Sequence, residues 1–182
     1  MNWLLADDPG VKAMAWAVFA PGGNLWSCGL VPKPRCATFA SPTAASIAAS
    51  AIASIRVPDP LVFPAGVALS GVVEQMVVYP PRTAQEKKCL VAKANDLILL
   101  SNASSLVMGH FCGPRVTYLT PGTWKGTRPK EVTQYQVLQG PGGLTADEKK
   151  VLQTDRYPPS LWHNLFDVVG LGLVHLGRIK GR

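Results

Sequence analysis

The stretch LLADDPG at residues 4–10, followed by AWAVFAPGGNLWSCGL at residues 15–30, decides the fold. The first stretch is an apolar run that ends at two acids and a Pro-Gly turn, which predicts a strand over residues 3–7. Two further apolar runs, residues 14–20 and 25–31, flank a Pro-Gly-Gly-Asn turn. The pattern predicts three consecutive strands, the second and third joined by a Gly-rich hairpin.

Beyond this start, strands alternate with helices. Two more strands are predicted at residues 71–78 and 115–120, and the second leads into a loop that begins at Pro121. Helices are predicted at residues 43–55, 87–108, 129–138, 145–153 and 160–177. In the second of these helices, Leu90, Ala94, Leu97 and Ile98 share the apolar face. The whole chain, residues 1–182, is therefore expected to form a single α/β domain.

The composition excludes several classes of protein. Of 182 residues, 47% are hydrophobic and 16% are charged, and the net charge is +7. A chain this apolar can bury enough surface to fold, so disorder is excluded, and its length disfavours two full-size domains. The basic excess is too small for a polybasic nucleic-acid binder. Any binding to phosphates must therefore depend on where the positive charges lie.

Neither the cysteines nor the uncharged segments indicate secretion or a membrane span. Residues 36–55 carry no charge, but Ala and Ser dominate the segment and Pro42 interrupts it, which favours a helix outside the membrane. The N-terminus has no basic region typical of a secretory signal. No two cysteines have C-x-x-C spacing, so reduced thiols are expected, as in a cytoplasmic protein of a bacterium or a phage-infected cell.

Three acids lie in otherwise apolar segments. Asp8 ends the first strand, Glu74 lies within VVEQMVV, and Asp167 lies within NLFDVVGLGLV on the last helix. A buried carboxylate is costly unless it is paired, capping or bound to a metal. Each acid also has an ordinary explanation: Asp8 as a turn cap, Glu74 at a solvent-facing strand edge, and Asp167 in an ion pair. Taken together, the three favour a site for a hard cation such as Mg²⁺.

The chain resembles the RuvC-type Holliday junction resolvases, within the ribonuclease H-like superfamily, in the style of divergent or phage members. The resemblance extends in order over nearly the whole sequence. It is based on the opening motifs quoted above, on VVEQMVV at 72–78, VTYLTPGTWKGTRPKEV at 116–132 and HNLFDVVGLGLVHL at 163–176. It implies a mixed five-stranded sheet, an antiparallel meander followed by parallel strands, flanked by helices.

The resemblance also implies an active site. Asp8 corresponds to the first catalytic acid, Glu74 to the second and Asp167 to the last, and together they would hold two Mg²⁺ ions, for which Mn²⁺ could substitute. Two such ions can activate water and stabilise the leaving oxygen of a phosphodiester. Asp7 is treated as the spare acid, since adjacent strand residues face opposite sides of a sheet.

The fourth site residue has two candidates. The family places an Asp or His three or four residues before the last acid, and here those positions hold Asn164 and His163. Both share a helix face with Asp167. His163 is preferred as a catalytic residue because it can transfer a proton, while Asn164 offers an amide oxygen to a metal.

Five residues are candidates for contact with DNA. Lys125 and Lys130 match basic family positions near the scissile phosphate and at the following helix, and Arg128 and Lys88 add positive charge. Contacts of this kind position the backbone without reading sequence. Tyr79, in the loop after the second acid, is the candidate aromatic wedge at the junction centre. Each cation could instead belong to an ordinary solvated surface.

The expected function is that of a Mg²⁺-dependent endonuclease that resolves four-way DNA junctions by paired symmetric nicks. Such a substrate implies a homodimer, since two nicks related by two-fold symmetry need two active sites. The helices around 43–55 and 88–108 are the candidate interface. Two alternatives stay open: a broader nuclease for forks and flaps, and a catalytically inactive DNA-binding protein of the same fold.

Overall fold

The structure is a computed structural model. It describes residues 2–10, 13–32, 43–57, 69–75, 77, 84–152 and 154–181. Side chains are described for these residues except Pro32 and residues 84–95. The predicted strands and helices outside these ranges, and the prediction for Tyr79, are not described further.

Five strands form one mixed sheet. They are β1 (Leu4–Pro9), β2 (Ala13–Phe19), β3 (Leu25–Pro32), β4 (Ser70–Glu74) and β5 (Val116–Leu119). The strand order is β3-β2-β1-β4-β5; β1 to β3 form an antiparallel meander, while β4 is parallel to both β1 and β5. The expected α/β fold, a mixed five-stranded sheet with an antiparallel meander followed by parallel strands, is confirmed.

Helices cover both faces of the sheet. They are α1 (Ala44–Ser54), α2 (Ala84–Phe111), α3 (Pro121–Trp124), α4 (Lys130–Gln139), α5 (Ala146–Val151) and α6 (Trp162–His175). Strand residues alternate between two cores: Leu4 and Ala6 pack on the α6 side, and Leu5 packs on the side of α1 and α2. The alternation follows from the two-residue period of a strand, and it sends neighbouring residues into different surroundings.

Local capping agrees with the sequence. Thr43 accepts a hydrogen bond from the Ser46 backbone N–H, and the Ser46 hydroxyl accepts one in return, so α1 begins with a reciprocal capping box. Thr145 and Glu148 form the same arrangement at α5. Such caps satisfy N–H groups that have no partner inside the helix.

Several predicted boundaries differ from the observed ones, and two of the differences have a clear physical reason. The strand predicted over residues 71–78 ends at Glu74, because its neighbour β5 ends at the paired residue Leu119 and β1 pairs only as far as Val73. The helix predicted from Ser160 begins at Trp162, after a 3₁₀ turn over Pro159–Leu161, and no side chain caps it. A strand continues only where a neighbour supplies hydrogen bonds.

Helix α2 buries a different face from the one expected. Leu100, Ala103 and Val107 are buried against the sheet, whereas Ile98 is 60% exposed and Leu106 is 50% exposed. The apolar residues of this helix are spread over more than one face, so the spacing did not define the buried one. The exposed pair lies on a surface that no element in the described part of the chain covers.

No helix of the described ranges has both the length and the apolar character needed to cross a membrane. The uncharged Ala- and Ser-rich segment contributes the 11-residue helix α1, which packs Ile47 and Ala51 into the core. Cys28 and Cys112 are free thiols, as expected.

Candidate active site

Asp8 and Glu74 lie side by side at the carboxyl ends of two parallel strands. β1 and β4 are hydrogen-bonded neighbours, and their register pairs Asp7 with Val73, so the next residues along are the two acids. Both belong to the α6 side of the sheet, because the strands alternate. Both are buried: Asp8 is 6% exposed and Glu74 is 9% exposed. The solvent-edge explanation for Glu74 is therefore wrong.

Helix α6 brings the third acid to the same place. Asp167 is 8% exposed, on a helix whose residues 164–173 are all buried. Two glycines let this helix approach closely: a Cβ at Gly172 would overlap the Phe19 ring, and one at Gly170 would lie 3.0 Å from the Trp124 ring. The small residues seen in the sequence after Asp167 thus set the distance between the helix and the sheet.

Lys125 joins two of the acids. Its Nζ lies 3.2 Å from Glu74 Oε2 and 3.1 Å from Asp167 Oδ2. The same ammonium lies 4.8 Å from the centroid of the Trp124 ring, a cation–π contact. The ordinary explanation for Asp167, an ion pair, is therefore also part of the observed geometry.

Trp124 is a site residue that sequence reasoning missed. The ring is 1% exposed. In addition, its Nε1–H donates a 2.6 Å hydrogen bond to Glu74 Oε2. The ring is positioned by α3, a short helix inside the predicted loop, which Thr120 caps. A buried indole N–H needs a hydrogen-bond acceptor, and this requirement is the signal from which a contact between Trp124 and an acid could have been predicted.

The pKa values of Asp8 and Glu74 are raised, because the acids are buried close together. Burial, followed by the negative charges of Glu74 and Asp167, holds the pKa of Asp8 well above its usual range. Burial also raises the pKa of Glu74, although Lys125 and the Trp124 hydrogen bond oppose the rise. Burial alone would lower the pKa of Lys125, but the three carboxylates around it raise it instead. One ammonium therefore serves three acids, and the cluster favours further positive charge.

Asn164 lies beside the end of β1. A Cβ at Gly10, two residues beyond Asp8, would be 3.4 Å from Asn164 Oδ1. Asn164 is 6% exposed, and its Nδ2 has no hydrogen-bond partner among the described residues. His163, one residue earlier, is half-buried. The roles expected for these two residues stay predictions.

The donor set suits a hard divalent cation. Three carboxylates and a buried amide supply oxygen ligands, the type that Mg²⁺ prefers. The Lys125 ammonium already lies between two of the carboxylates, as a cation would. As arranged, no group of three His, Cys, Asp or Glu side chains within the described residues is close enough to hold a metal ion. The three acids would therefore have to rearrange to hold a metal ion together.

The other predicted DNA contacts lie in different surroundings. Lys130 is exposed at the start of α4. Arg128 is partly buried and donates hydrogen bonds to Gln136 Oε1 and to the Lys180 carbonyl. The side chain of Lys88 and the whole of Tyr79 lie outside the described residues. Among the predicted DNA contacts whose side chains the structure describes, only Lys125 is in direct contact with the acids.

Asp7 faces the opposite core, as predicted for the spare acid. It is fully buried and accepts a hydrogen bond from the Ser104 hydroxyl of α2. Burial raises its pKa to about 7. The side-chain alternation of β1 therefore separates the two adjacent acids, which lie on different faces of the sheet.

No protein-family model matches the chain, and no curated protein matches it. Two solved structures are similar. One is a Thermus thermophilus RuvC structure, with 17% identity, a TM-score of 0.44, and coverage of 96% of this chain and 93% of that chain. The other, T. thermophilus RuvC in complex with Holliday junction substrate, has 16% identity, a TM-score of 0.47, and coverage of 97% and 93%. Similarity at this level assigns no activity or ligand to this chain.

Proposed function

We propose that this chain is a Mg²⁺-dependent endonuclease for branched DNA, which resolves four-way junctions by paired nicks. The observation that carries the proposal is the convergence of Asp8, Glu74 and Asp167, from two parallel strands and a helix, around the Lys125 ammonium. Buried acids with raised pKa values beside a specific charge partner are typical of functional sites.

The acids would divide the work of the site. Asp8, Glu74 and Asp167 would hold the metal ions, with Asn164 as a neutral fourth ligand. When bound, the metal would supply activation of the attacking water and stabilisation of the leaving oxygen. Trp124 would hold the Glu74 carboxylate in place through its N–H. His163 would act as a proton-transfer group.

Lys125 would exchange partners when substrate binds. Its ammonium now neutralises Glu74 and Asp167, a task that a divalent cation would take over. The released ammonium would then be available to a phosphate of the DNA backbone. Lys130, Arg128 and Lys88 would add contacts that position the duplex, so binding should weaken steeply as salt increases.

A second copy of the chain would complete the enzyme. Symmetric nicks on a four-way junction need two sites related by a two-fold axis. The exposed Ile98 and Leu106 of α2 support an interface on that helix, since such side chains favour burial.

The test uses a synthetic four-way junction, with and without Mg²⁺. We expect Asp8→Asn to lower the cleavage rate about a hundred- to a thousandfold, the scale seen when a central electrostatic group is removed, while junction binding is retained. Asp147→Asn, at an exposed acid of α5, is the matched control and should cut normally. Normal cleavage by Asp8→Asn would refute the site, and faster cleavage of a flap than of the junction would favour the broader nuclease.

A catalytically inactive DNA-binding protein is the second candidate. The observation that favours it is Lys125 itself, whose ammonium already neutralises two of the acids. Titration of Mg²⁺ or Mn²⁺ under calorimetry separates the two candidates. Heat of binding that disappears in Asp8→Asn supports the enzyme, whereas no metal binding by the wild-type protein supports the inactive protein.

A further inference from the structure

A second cleft lies along the outer edge of the sheet, away from the acids. It has a volume of about 620 Å³ and lies between strand β3, the end of α1 and the segment from α5 to Tyr157. Its lining combines cations and aromatic rings: Arg56, Lys150, Arg156, Trp16, Trp26 and Tyr157. We call this region the edge cleft. Its volume is in the range of ligand-binding pockets, about 300–1,000 Å³.

The edge cleft is electropositive. Among the described residues, no acid contributes to its lining. Lys150 is paired with Asp147 at 2.7 Å, but Arg56 and Arg156 are exposed and make no ion pair within the described part of the chain. Two such guanidinium groups at one cleft favour an anionic ligand, and phosphate matches their planar donor geometry.

The edge cleft also offers aromatic surface. Trp26 is 52% exposed, and an edge-to-face contact with Trp3, at 5.6 Å between ring centroids, orients its ring. Trp16 is 4% exposed, and its Nε1–H has no hydrogen-bond partner among the described residues. An exposed indole beside cations is the arrangement on which unpaired bases stack.

A peptide strand is a poor fit for the edge cleft. An extended peptide would bind by pairing with the free edge of β3. However, the Leu25 backbone N–H already donates to Glu148 Oε1 at 2.7 Å, and the Leu30 backbone N–H donates to the Tyr157 hydroxyl at 3.2 Å. Side chains therefore block donors near both ends of the strand, and the rings and guanidinium groups remain as the available contacts.

We propose that the edge cleft binds a single-stranded segment of nucleic acid, with a base stacked on Trp26 and backbone phosphates on Arg56 and Arg156. The inference rests on the proposed function and deepens it, because the segment would be a strand of the branched DNA that is unpaired where the arms meet. β3 lies two strands from β1, about 10 Å at the usual strand spacing. One DNA molecule could therefore occupy both sites.

The test measures binding of a fluorescently labelled oligothymidylate of about ten nucleotides, a length typical of single-strand sites, in EDTA by anisotropy. We expect Trp26→Ala to weaken binding about tenfold, and Trp26→Phe, which keeps a ring, to retain most of the affinity. Binding should weaken as salt increases, with a linear relation between the logarithm of the binding constant and the logarithm of the salt concentration. Arg56→Ala and Arg156→Ala should each make the slope of this relation shallower by about one unit. Tyr135→Ala, which removes an exposed ring of α4, should bind like the wild type. Circular dichroism checks that every variant is folded.

A duplex of equal length and an acidic peptide, used as further ligands, test whether the edge cleft prefers another class of ligand. Unchanged binding in folded Trp26→Ala would overturn the proposal, as would tighter binding of a duplex of equal length or of an acidic peptide. The result is independent of cleavage: Trp26-dependent binding without any Mg²⁺-dependent cutting would preserve the edge cleft and refute the nuclease. Mg²⁺-dependent cutting, together with binding that does not depend on Trp26, would support the nuclease and overturn the proposed role of the edge cleft.

Discussion

Buried carboxylates in two regions of this molecule have pKa values that are shifted in opposite directions. Glu148 of α5 is 4% exposed and receives hydrogen bonds from the Arg178 guanidinium, from the Leu25 backbone N–H at 2.7 Å and from the Thr145 backbone N–H at 2.8 Å. Burial alone would raise its pKa, but Arg178 and the backbone donors lower it to about 2. The acids of the candidate site, by contrast, have raised pKa values in Asp8 and Glu74.

The difference between the clusters is the ratio of donors to acids. Glu148 is one carboxylate with a full set of donors, and Arg178 also ties the β2–β3 turn at Gly23 to the loop at Gly143. The site gathers three carboxylates around one ammonium. The first arrangement stabilises the fold, whereas the second keeps negative charge in excess at the cost of stability, as functional sites commonly do.

Removing the satisfied acid should have the largest effect. Glu148→Ala leaves Arg178 and two backbone N–H groups without their acceptor, so we expect the free energy of unfolding to fall by about 3 kcal/mol. Urea denaturation at pH 7 measures it. Asp147→Ala, one residue away and exposed, should change it by less than about 0.5 kcal/mol.

The same acid predicts a pH dependence. The folded pKa of Glu148 lies below its ordinary value of 4.5, so the stability it contributes is present above pH 4.5 and is lost as pH falls towards about 2. The difference in the free energy of unfolding between the wild type and Glu148→Gln should therefore become smaller as pH falls from 4.5 towards about 2. A constant difference would mean that Glu148 acts through packing instead of charge.

Removing the shared cation should have an intermediate effect. Lys125→Met leaves Glu74 and Asp167 without their ammonium, so in EDTA we expect a loss of about 2 kcal/mol of unfolding free energy. Lys130→Met, at an exposed position nearby in sequence, is the control. If Mg²⁺ binds where we propose, adding it should restore more stability to Lys125→Met than to the wild type. Equal responses would contradict the exchange of Lys125 for a metal.

Removing one acid from the site should have the smallest effect and the opposite sign. Asp8→Asn relieves repulsion, so in EDTA we expect a gain of about 1 kcal/mol at pH 7. Because the folded pKa of Asp8 is raised, the wild type loses stability as pH rises above the ordinary value near 4. The advantage of Asp8→Asn should therefore grow with pH. A loss of stability at every pH would make this cluster structural, like that of Glu148.

Much of the fold could be predicted from the sequence because its signals are local. The turn at Pro21-Gly22-Gly23-Asn24, the capping residues Thr43 and Thr145, and the apolar runs of the strands each act within a few residues. The predictions were wrong where residues that are distant in the sequence determine where an element ends or which of its faces is buried. β4 ends because β5 ends, and the buried face of α2 is selected by the sheet on which it packs.

The sequence by itself determined which acids stand in apolar surroundings and the order in which strands and helices present them. The two-residue period of a strand was also enough to place Asp7 and Asp8 on opposite faces of the sheet. Only the tertiary structure decided the partners: Trp124 with Glu74, Lys125 with Asp167, and Arg178 with Glu148. Each pair joins residues at least 30 positions apart, where no helical or strand period operates. Periodicity places a side chain on a face of its own element, and the packing of elements selects what it meets there.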